Sequence, residues 1–324
     1  MTAVLEVSGL KTHFFTHAGV VKAVDGVDFI VNKGEVMGLV GESGSGKSIT
    51  GFSIIGLIDQ PGRIVEGAIR FNGEDIAKAP EEKLKSIRGN RISMIFQDPM
   101  MTLNPVLRID TQMMEAILAH EQVPRKEAWE RCRDALGLVG IPSPEERLRA
   151  YPHQLSGGMR QRVSIATAFL NKPDLIIADE PTTALDVTIQ AQIIFEAQKL
   201  TRQTGTAMIW ITHDLAVVAG LADRISVMYA GRIVEQGLTV DVIDRPLHPY
   251  TVGLLGSVPT ANNRGERLFQ IEGMTPNMLA LPEGCAFSPR CGSASDVCRT
   301  PPPIENVADR ELRCYHPRPQ VAAQ

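Results

Sequence analysis

An α/β fold, with strands alternating with helices, is what this chain predicts on three observations. An apolar run, Val36 to Val40, leads into the octapeptide GESGSGKS, Gly41 to Ser48, and a helix-suited stretch, SITGFSIIGLI, continues from it. A second apolar run, Asp174 to Ala178, ends at Asp179-Glu180. Between and beyond these, short β-branched runs alternate with stretches whose apolar residues recur every three or four positions.

The elements follow in order. Residues 3–8 and 21–31 read as strands by alternation and β-branched content, with a loop holding Phe14, Phe15 and Gly19 between them. Gly34-Glu35 turns the chain into Val36 to Val40. Pro61-Gly62 breaks it after the first helix, and Glu66 to Asn72 is a strand closed by an Asn-Gly turn. These early strands predict a small antiparallel sheet. Residues 81–88 predict a short helix, and Arg91 to Phe96 a strand ending at Gln97-Asp98-Pro99. From about Arg108 to Ala150 the periodicity is helical; Leu155-Ser156-Gly157-Gly158 interrupts it and MRQRVSIATAFL resumes it. A helix over about 188–203, a strand from Ala207 to Ile211 ending at Thr212-His213-Asp214, a short helix, and strands over 224–229 and 232–236 complete the pattern. Beyond about residue 245 the pattern is lost, prolines and glycines become dense, and cysteines appear. The expected division is a main domain over 1–245, with a helical part at about 100–170, and a C-terminal region over 246–324.

Composition narrows the function classes. A chain of 324 residues can bury a substantial core. Its net charge of −4, without a long basic run, argues against nucleic-acid binding by bulk electrostatics. No apolar stretch approaches the roughly 18–20 residues that span a bilayer, and MTAVLEVSGLKTHFF lacks the basic-then-apolar layout of a signal peptide. A soluble, cytoplasmic chain is expected. Of five cysteines, Cys132 stands alone in a helical stretch and reads as packing, while Cys285, Cys291, Cys298 and Cys314 cluster near the end. In a reducing compartment such a cluster favours metal over disulfides.

The octapeptide has the form Gly-x-x-x-x-Gly-Lys-Ser between a strand and a helix. Its glycines, Gly41, Gly44 and Gly46, let backbone N–H groups turn inward around phosphates, and the helix N-terminus adds its positive dipole end. Lys47 would reach the β- and γ-phosphates and the Ser48 hydroxyl would ligate magnesium. Asp179 would bind the ion, and Glu180 would take a proton from, or orient, an attacking water. Ser156, Gly157 and Gly158 stand where a helix begins, so the hydroxyl and free N–H groups can bind an anion; taken alone they could equally be an ordinary capped helix.

In one chain these parts occur in the order GESGSGKS, Gln97, LSGGMRQ (Leu155 to Gln161), LIIADE (Leu175 to Glu180), ALD (Ala184 to Asp186) and His213. The set resembles the ATP-binding-cassette (ABC) family over about residues 4–240. The resemblance implies a P-loop NTPase with a RecA-like core, an antiparallel β-subdomain and a helical subdomain, in which two cassettes sandwich two ATP molecules head to tail. Own-site ATP contacts then fall to Phe14, with Phe15 as the competing aromatic residue, to Gly41, Ser43, Gly44, Ser45, Gly46, Lys47, Ser48 and Ile49, and to Gln97 and Asp179. Ser48, Gln97 and Asp179 are the implied magnesium set, and Glu180, His213 and Lys47 the implied catalytic residues. Ser156, Gly157, Gly158 and Gln161 serve the ATP of the partner cassette, and Asp186 contacts that cassette. One departure is Ile49, where many relatives carry Thr; its backbone N–H is kept and a hydroxyl contact is lost.

The resemblance narrows further. RPLHPYTVGLLGSVP (residues 245–259), FQDPMMTLNP (Phe96 to Pro105) and DEPTTALDVTIQAQI (Asp179 to Ile193) resemble segments of dipeptide and oligopeptide importer ATPases, and nickel and glutathione importers share parts of the pattern. The implied partners are a second ATPase subunit, paralogous rather than identical, two transmembrane permease subunits and an extracytoplasmic peptide-binding protein, on the cytoplasmic face of the inner membrane; nucleic acid is not among them. A soluble ABC ATPase acting on ribosomes or DNA is the rival reading, disfavoured because neither a second cassette nor a long insertion is present. Five, six and fifteen residues separate Cys285, Cys291, Cys298 and Cys314. Four thiolates can hold zinc or a four-iron cluster. Subfamily members with these cysteines resemble iron–sulfur binders, so a [4Fe–4S] cluster is expected, with structural zinc or bare thiols as alternatives.

Overall fold

Contacts divide the chain of this computed structural model, described over residues 2–98, 102–183, 185, 187–258 and 270–318, into two units. One comprises Met1–Val4, Val31–Glu35 and Ala79–Ile209; the other comprises Leu5–Ile30, Val36–Lys78 and Trp210–Gln324. In chain order the strands are β1 (Ala3–Thr16), β2 (Gly19–Asn32), β3 (Val36–Val40), β4 (Gly62–Phe71), β5 (Glu74–Asp75), β6 (Ile92–Ile95), β7 (Leu175–Asp179), β8 (Ala207–Thr212), β9 (Arg224–Tyr229), β10 (Arg232–Leu238), β11 (Glu305–Val307) and β12 (Arg310–Leu312). The helices are α1 (Lys47–Ile54), α2 (Glu81–Ile87), α3 (Ile109–Leu118), α4 (Arg125–Leu138), α5 (Pro144–Leu148), α6 (Gly157–Phe169), α7 (Val187–Thr204), α8 (Leu215–Leu221), α9 (Thr239–Asp244) and α10 (Pro249–Gly256).

In the unit that carries the N-terminal strands, an antiparallel sheet runs in the order β2-β1-β4-β5. The loop expected around Phe14, Phe15 and Gly19 is instead strand, and β1 and β2 each run 14 residues. A register shift between Ser8 and Thr12, at Gly9 with φ 56°, interrupts the alternation and hides this continuity from the sequence. The Asn72-Gly73 turn is as expected, with φ of 49° and 84°, the left-handed pair of a two-residue hairpin. The same unit holds β3, buried along its whole length and parallel to β9, with Met37 opposite Arg224 and Val40 opposite Val227. A strand buried on both faces reads as an unbroken apolar run, as β3 does. Gly38 lets α8 pack against it, because a Cβ there would lie 2.1 Å from Val218 Cγ1.

The C-terminal region adds strands to this sheet. Here β9 turns into β10 through Ala230 and Gly231, and β12 pairs antiparallel with β10, placing Glu235 opposite Leu312; β11 pairs with β12. Three-residue strands are too short to show alternation, so the sequence did not reveal them. Glu235 and Arg310, 0% and 1% exposed, form an ion pair at 3.1 Å. The Glu235 carboxylate also accepts from the backbone N–H groups of Leu247 and His248, at 3.0 and 2.9 Å. Residues after 245 therefore lie in one unit with β9 and β10.

In the other unit β6 and β7 are parallel neighbours, Ile92 opposite Leu175 and Ile95 opposite Ala178. All five residues of β7 are buried. The helical stretch resolves into α3, α4, α5 and α6, with Cys132 at 0% exposure in α4; burial pushes its thiol up to about 12, which fits a packing role. No helix among the described residues is long and apolar enough to cross a membrane.

Candidate functional site

The loop Gly41 to Ser48 is shaped by glycines with no substitute. Gly41 has φ 154° and Gly46 φ 104°; a Cβ on either would lie 2.2 Å from a backbone oxygen, that of Met228 or of Ala23. Gly44, at φ 77°, faces open space, so there the left-handed backbone alone asks for glycine. Gly46 is the N-cap of α1 and makes no side-chain cap, and the first turn holds no acidic residue. Lys47 is 5% exposed. Its ammonium donates to the carbonyls of Gly41 and Glu42, at 2.8 and 2.9 Å, and sits 3.5 Å from Ser45 Oγ. A concave run of backbone, a helix N-terminus and a buried ammonium together suit an anionic phosphate chain. Ser43 is exposed, Ser45 buried, and Ser48 and Ile49 half-buried.

Glu42, which sequence reasoning left without a role, is tied down on every side. Its N–H donates to Tyr250 Oη at 2.8 Å. Its carboxylate meets the Arg290 guanidinium in a fork, Nη1 to Oε2 at 2.7 Å and Nη2 to Oε1 at 3.0 Å. The carboxylate raises the Arg290 pKa above its ordinary value. Tyr250 follows His248-Pro249 at the start of α10, where His248 Nδ1 accepts from Tyr250 N at 3.0 Å. The His248 ring is buried, and that burial lowers its pKa to about 3, opposed only by a hydrogen bond to the Arg313 backbone. The sole sequence signal for this arrangement was the His-Pro-Tyr within the importer-like segment.

Phe14 and Phe15 differ in access. The Phe14 ring lies over Gly62, where a Cβ would come within 2.6 Å of it. Phe15 is 39% exposed, with the Arg63 guanidinium 4.2 Å from its ring centroid. His213 is exposed at the end of β8, and the next residue, Asp214, caps α8 by accepting from Ala216 N.

In the other unit, Asp179 ends β7 at 4% exposure and Glu180 follows it with φ 45°. A non-glycine residue held there stores strain of order 1–3 kcal/mol, a feature found preferentially where chemistry needs a fixed side chain. Gln97 Nε2 and Thr183 Oγ1 both donate to Glu180 Oε2, at 3.1 and 3.0 Å. Ser156 is the N-cap of α6, accepting from Met159 N at 3.3 Å, and Gly157 is exposed beside it. Gly158 sits against α7, its Cβ position 2.9 Å from Ile189 Cγ2. Gln161, in α6, is 2% exposed. Its Nε2 is buried without an acceptor among the described residues. Asp186 lies outside the described residues.

The four C-terminal cysteines are free thiols. Cys285 N donates to the Cys298 carbonyl at 2.8 Å, and a Cβ on Gly284 would lie 2.1 Å from that carbonyl oxygen, so the chain closes tightly there. Burial pushes the Cys314 thiol up to about 11, and Cys285, Cys291 and Cys298 each add to the rise. Among the described residues, however, no three His, Cys, Asp or Glu side chains converge as ligands of one metal ion.

Comparison with known proteins agrees with these parts. The family described as "ABC transporter" matches residues 24–183, and "Oligopeptide/dipeptide transporter, C-terminal region" matches residues 234–298. The oligopeptide transport ATP-binding protein OppD of Salmonella typhimurium is 49% identical over 314 residues, covering 97% of this chain and 93% of that protein. The dipeptide transport ATP-binding protein DppD of Escherichia coli is 47% identical over 317 residues, covering 97% of each. A dimeric ATP-binding cassette solved in a post-hydrolysis state with ADP and Pi superposes with a TM-score of 0.66 at 26% identity, covering 72% of this chain and 98% of that one. The chain belongs to the ABC transporter ATPases, among those that carry the oligopeptide/dipeptide transporter C-terminal region.

Proposed function

We infer that this protein is the ATP-hydrolysing subunit that powers import of di- and oligopeptides through an ABC transporter. The observation that carries the reading is the Gly41 to Ser48 loop with its buried Lys47, in a chain that matches peptide-transport ATPases over 97% of its length. Lys47, oriented by the Gly41 and Glu42 carbonyls, binds the phosphates, aided by the backbone N–H groups of the loop and of Ile49. Ser48, Gln97 and Asp179 are assigned to magnesium, which neutralises phosphate charge when bound. Glu180, held by Gln97 and Thr183, orients the attacking water and takes its proton, and His213 acts on the γ-phosphate. Ser156, Gly157, Gly158 and Gln161 are assigned to the ATP of a second ATPase subunit, and Asp186 to contact with it. Two permease subunits and a peptide-binding protein complete the transporter, with this chain on the cytoplasmic face of the membrane. Phe15, the more open of the two rings, competes with Phe14 for the adenine. Glu180→Gln removes the base and keeps the loop, so ATP binding should persist while turnover falls at least about 100-fold in the assembled transporter; wild-type hydrolysis by this variant would strip Glu180 of the role. Transport of dipeptides, longer peptides and Ni²⁺ by the reconstituted complex separates peptide import from nickel import.

For the C-terminal segment we propose a [4Fe–4S] cluster on Cys285, Cys291, Cys298 and Cys314. The reading is supported by the number and spacing of these four cysteines, a full thiolate set for one cluster within residues 285–314. Protein purified without oxygen should be brown, with iron and sulfide in equal amounts; stoichiometric zinc without sulfide would refute the cluster.

A further inference from the structure

Glu42 places a carboxylate inside a loop that the reading above gives to the triphosphate of ATP, where an uncompensated negative charge opposes binding. Its compensation comes from far along the chain. The Arg290 side chain is 5% exposed. Besides its fork to Glu42, it donates through Nε to the Glu272 carbonyl at 3.0 Å, and its guanidinium lies about 6 Å from the Tyr229 and Phe287 ring centroids. A forked Arg–carboxylate pair sets direction as well as charge. Tyr250, 0% exposed, fixes the Glu42 N–H, while the Glu42 carbonyl holds Lys47. Every polar group of Glu42 is therefore used, two of them by the C-terminal region and one by the ATP lysine.

We propose that Arg290 and Tyr250 are positioning residues of the ATP loop: Arg290 neutralises and aims Glu42, Tyr250 pins its backbone, and together they set the Gly41 and Glu42 carbonyls against which Lys47 rests. The C-terminal region then tunes ATP affinity directly. This rests on the assignment of Gly41 to Ser48 to ATP.

The test is equilibrium binding of a fluorescent ATP analogue with Mg²⁺ to the full-length chain, with unfolding midpoints measured in parallel. Arg290→Ala should weaken binding at least about ten-fold, a change of about 1.4 kcal/mol. The double variant Glu42→Gln/Arg290→Ala should recover most of that loss, because the stranded carboxylate is gone. Tyr250→Phe should weaken binding about three-fold, with the loss carried in KM for ATP rather than in kcat of the assembled transporter. Unchanged binding by Arg290→Ala, or a double variant as weak as Arg290→Ala, overturns the proposal. Where Arg290→Ala does not fold, Arg290→Lys and Tyr250→Phe decide: weakened binding by folded protein supports the proposal, and wild-type binding by both overturns it. Failure of the wild-type chain to bind the analogue would instead refute the ATP-loop assignment.

Discussion

His248 shows how one buried side chain can set a pH dependence. Its ring is neutral, accepts from Tyr250 N, and has its pKa lowered by burial to about 3, against an ordinary value of 6.5. The folded protein therefore takes up this proton less readily than the unfolded chain. The stability it contributes is full above the ordinary imidazole range and drains away as pH falls from about 6.5 towards 3, at about 1.4 kcal/mol per unit for one proton. Between pH 7.5 and 5.5 the wild type should lose about 1.4 kcal/mol more than His248→Asn, which keeps a side-chain acceptor at the start of α10 without a titrating ring; denaturant midpoints at the two pH values check this. At this scale legibility in the sequence was uneven. Lys47 and Glu180 stood out because their chemistry is local: a turn, a strand end and the residues beside them. Glu42 did not, because its partner Arg290 lies 248 positions away and only the fold brings them together.

At the scale of elements, length decided what could be read. The fully buried β3, β7 and β8 announced themselves by their apolar runs, and the helical periods gave α6 and α7 within a few residues. The shift at Gly9 broke β1 into an apparent strand and loop, and β11 and β12 were too short to carry a pattern. What holds β12 in place is chemistry that no periodicity reports: the buried Arg310–Glu235 pair across β10. Removing one member of such a pair leaves a buried charge uncompensated, so Arg310→Met should cost about 3–5 kcal/mol. The double variant Glu235→Gln/Arg310→Met should recover a large part of it, because the cost lies in stranding the carboxylate. Urea unfolding of the three proteins measures both effects; equal destabilisation by the single and double variants would mean the pair contributes through shape alone.

Over the whole molecule, one family match ends at residue 183 and the other covers 234–298, whereas composition changes near residue 245. Contacts place the residues beyond 245 in one unit with β3 and β9, because β12 and β11 extend their sheet through β10. Composition marks where cysteines and prolines gather, and hydrogen-bonded strands ignore that boundary.

This has a consequence for anyone recombining relatives. The C-terminal region cannot be exchanged at residue 245 as an interchangeable module, since half of its seat belongs to β10. Glu235 must meet Arg310, and Gly237 must stay bare, because a Cβ there would lie 2.5 Å from Arg310 Cγ. A viable splice point lies upstream of Arg232, so that the strand, its carboxylate and its gap travel with the arginine that fills them.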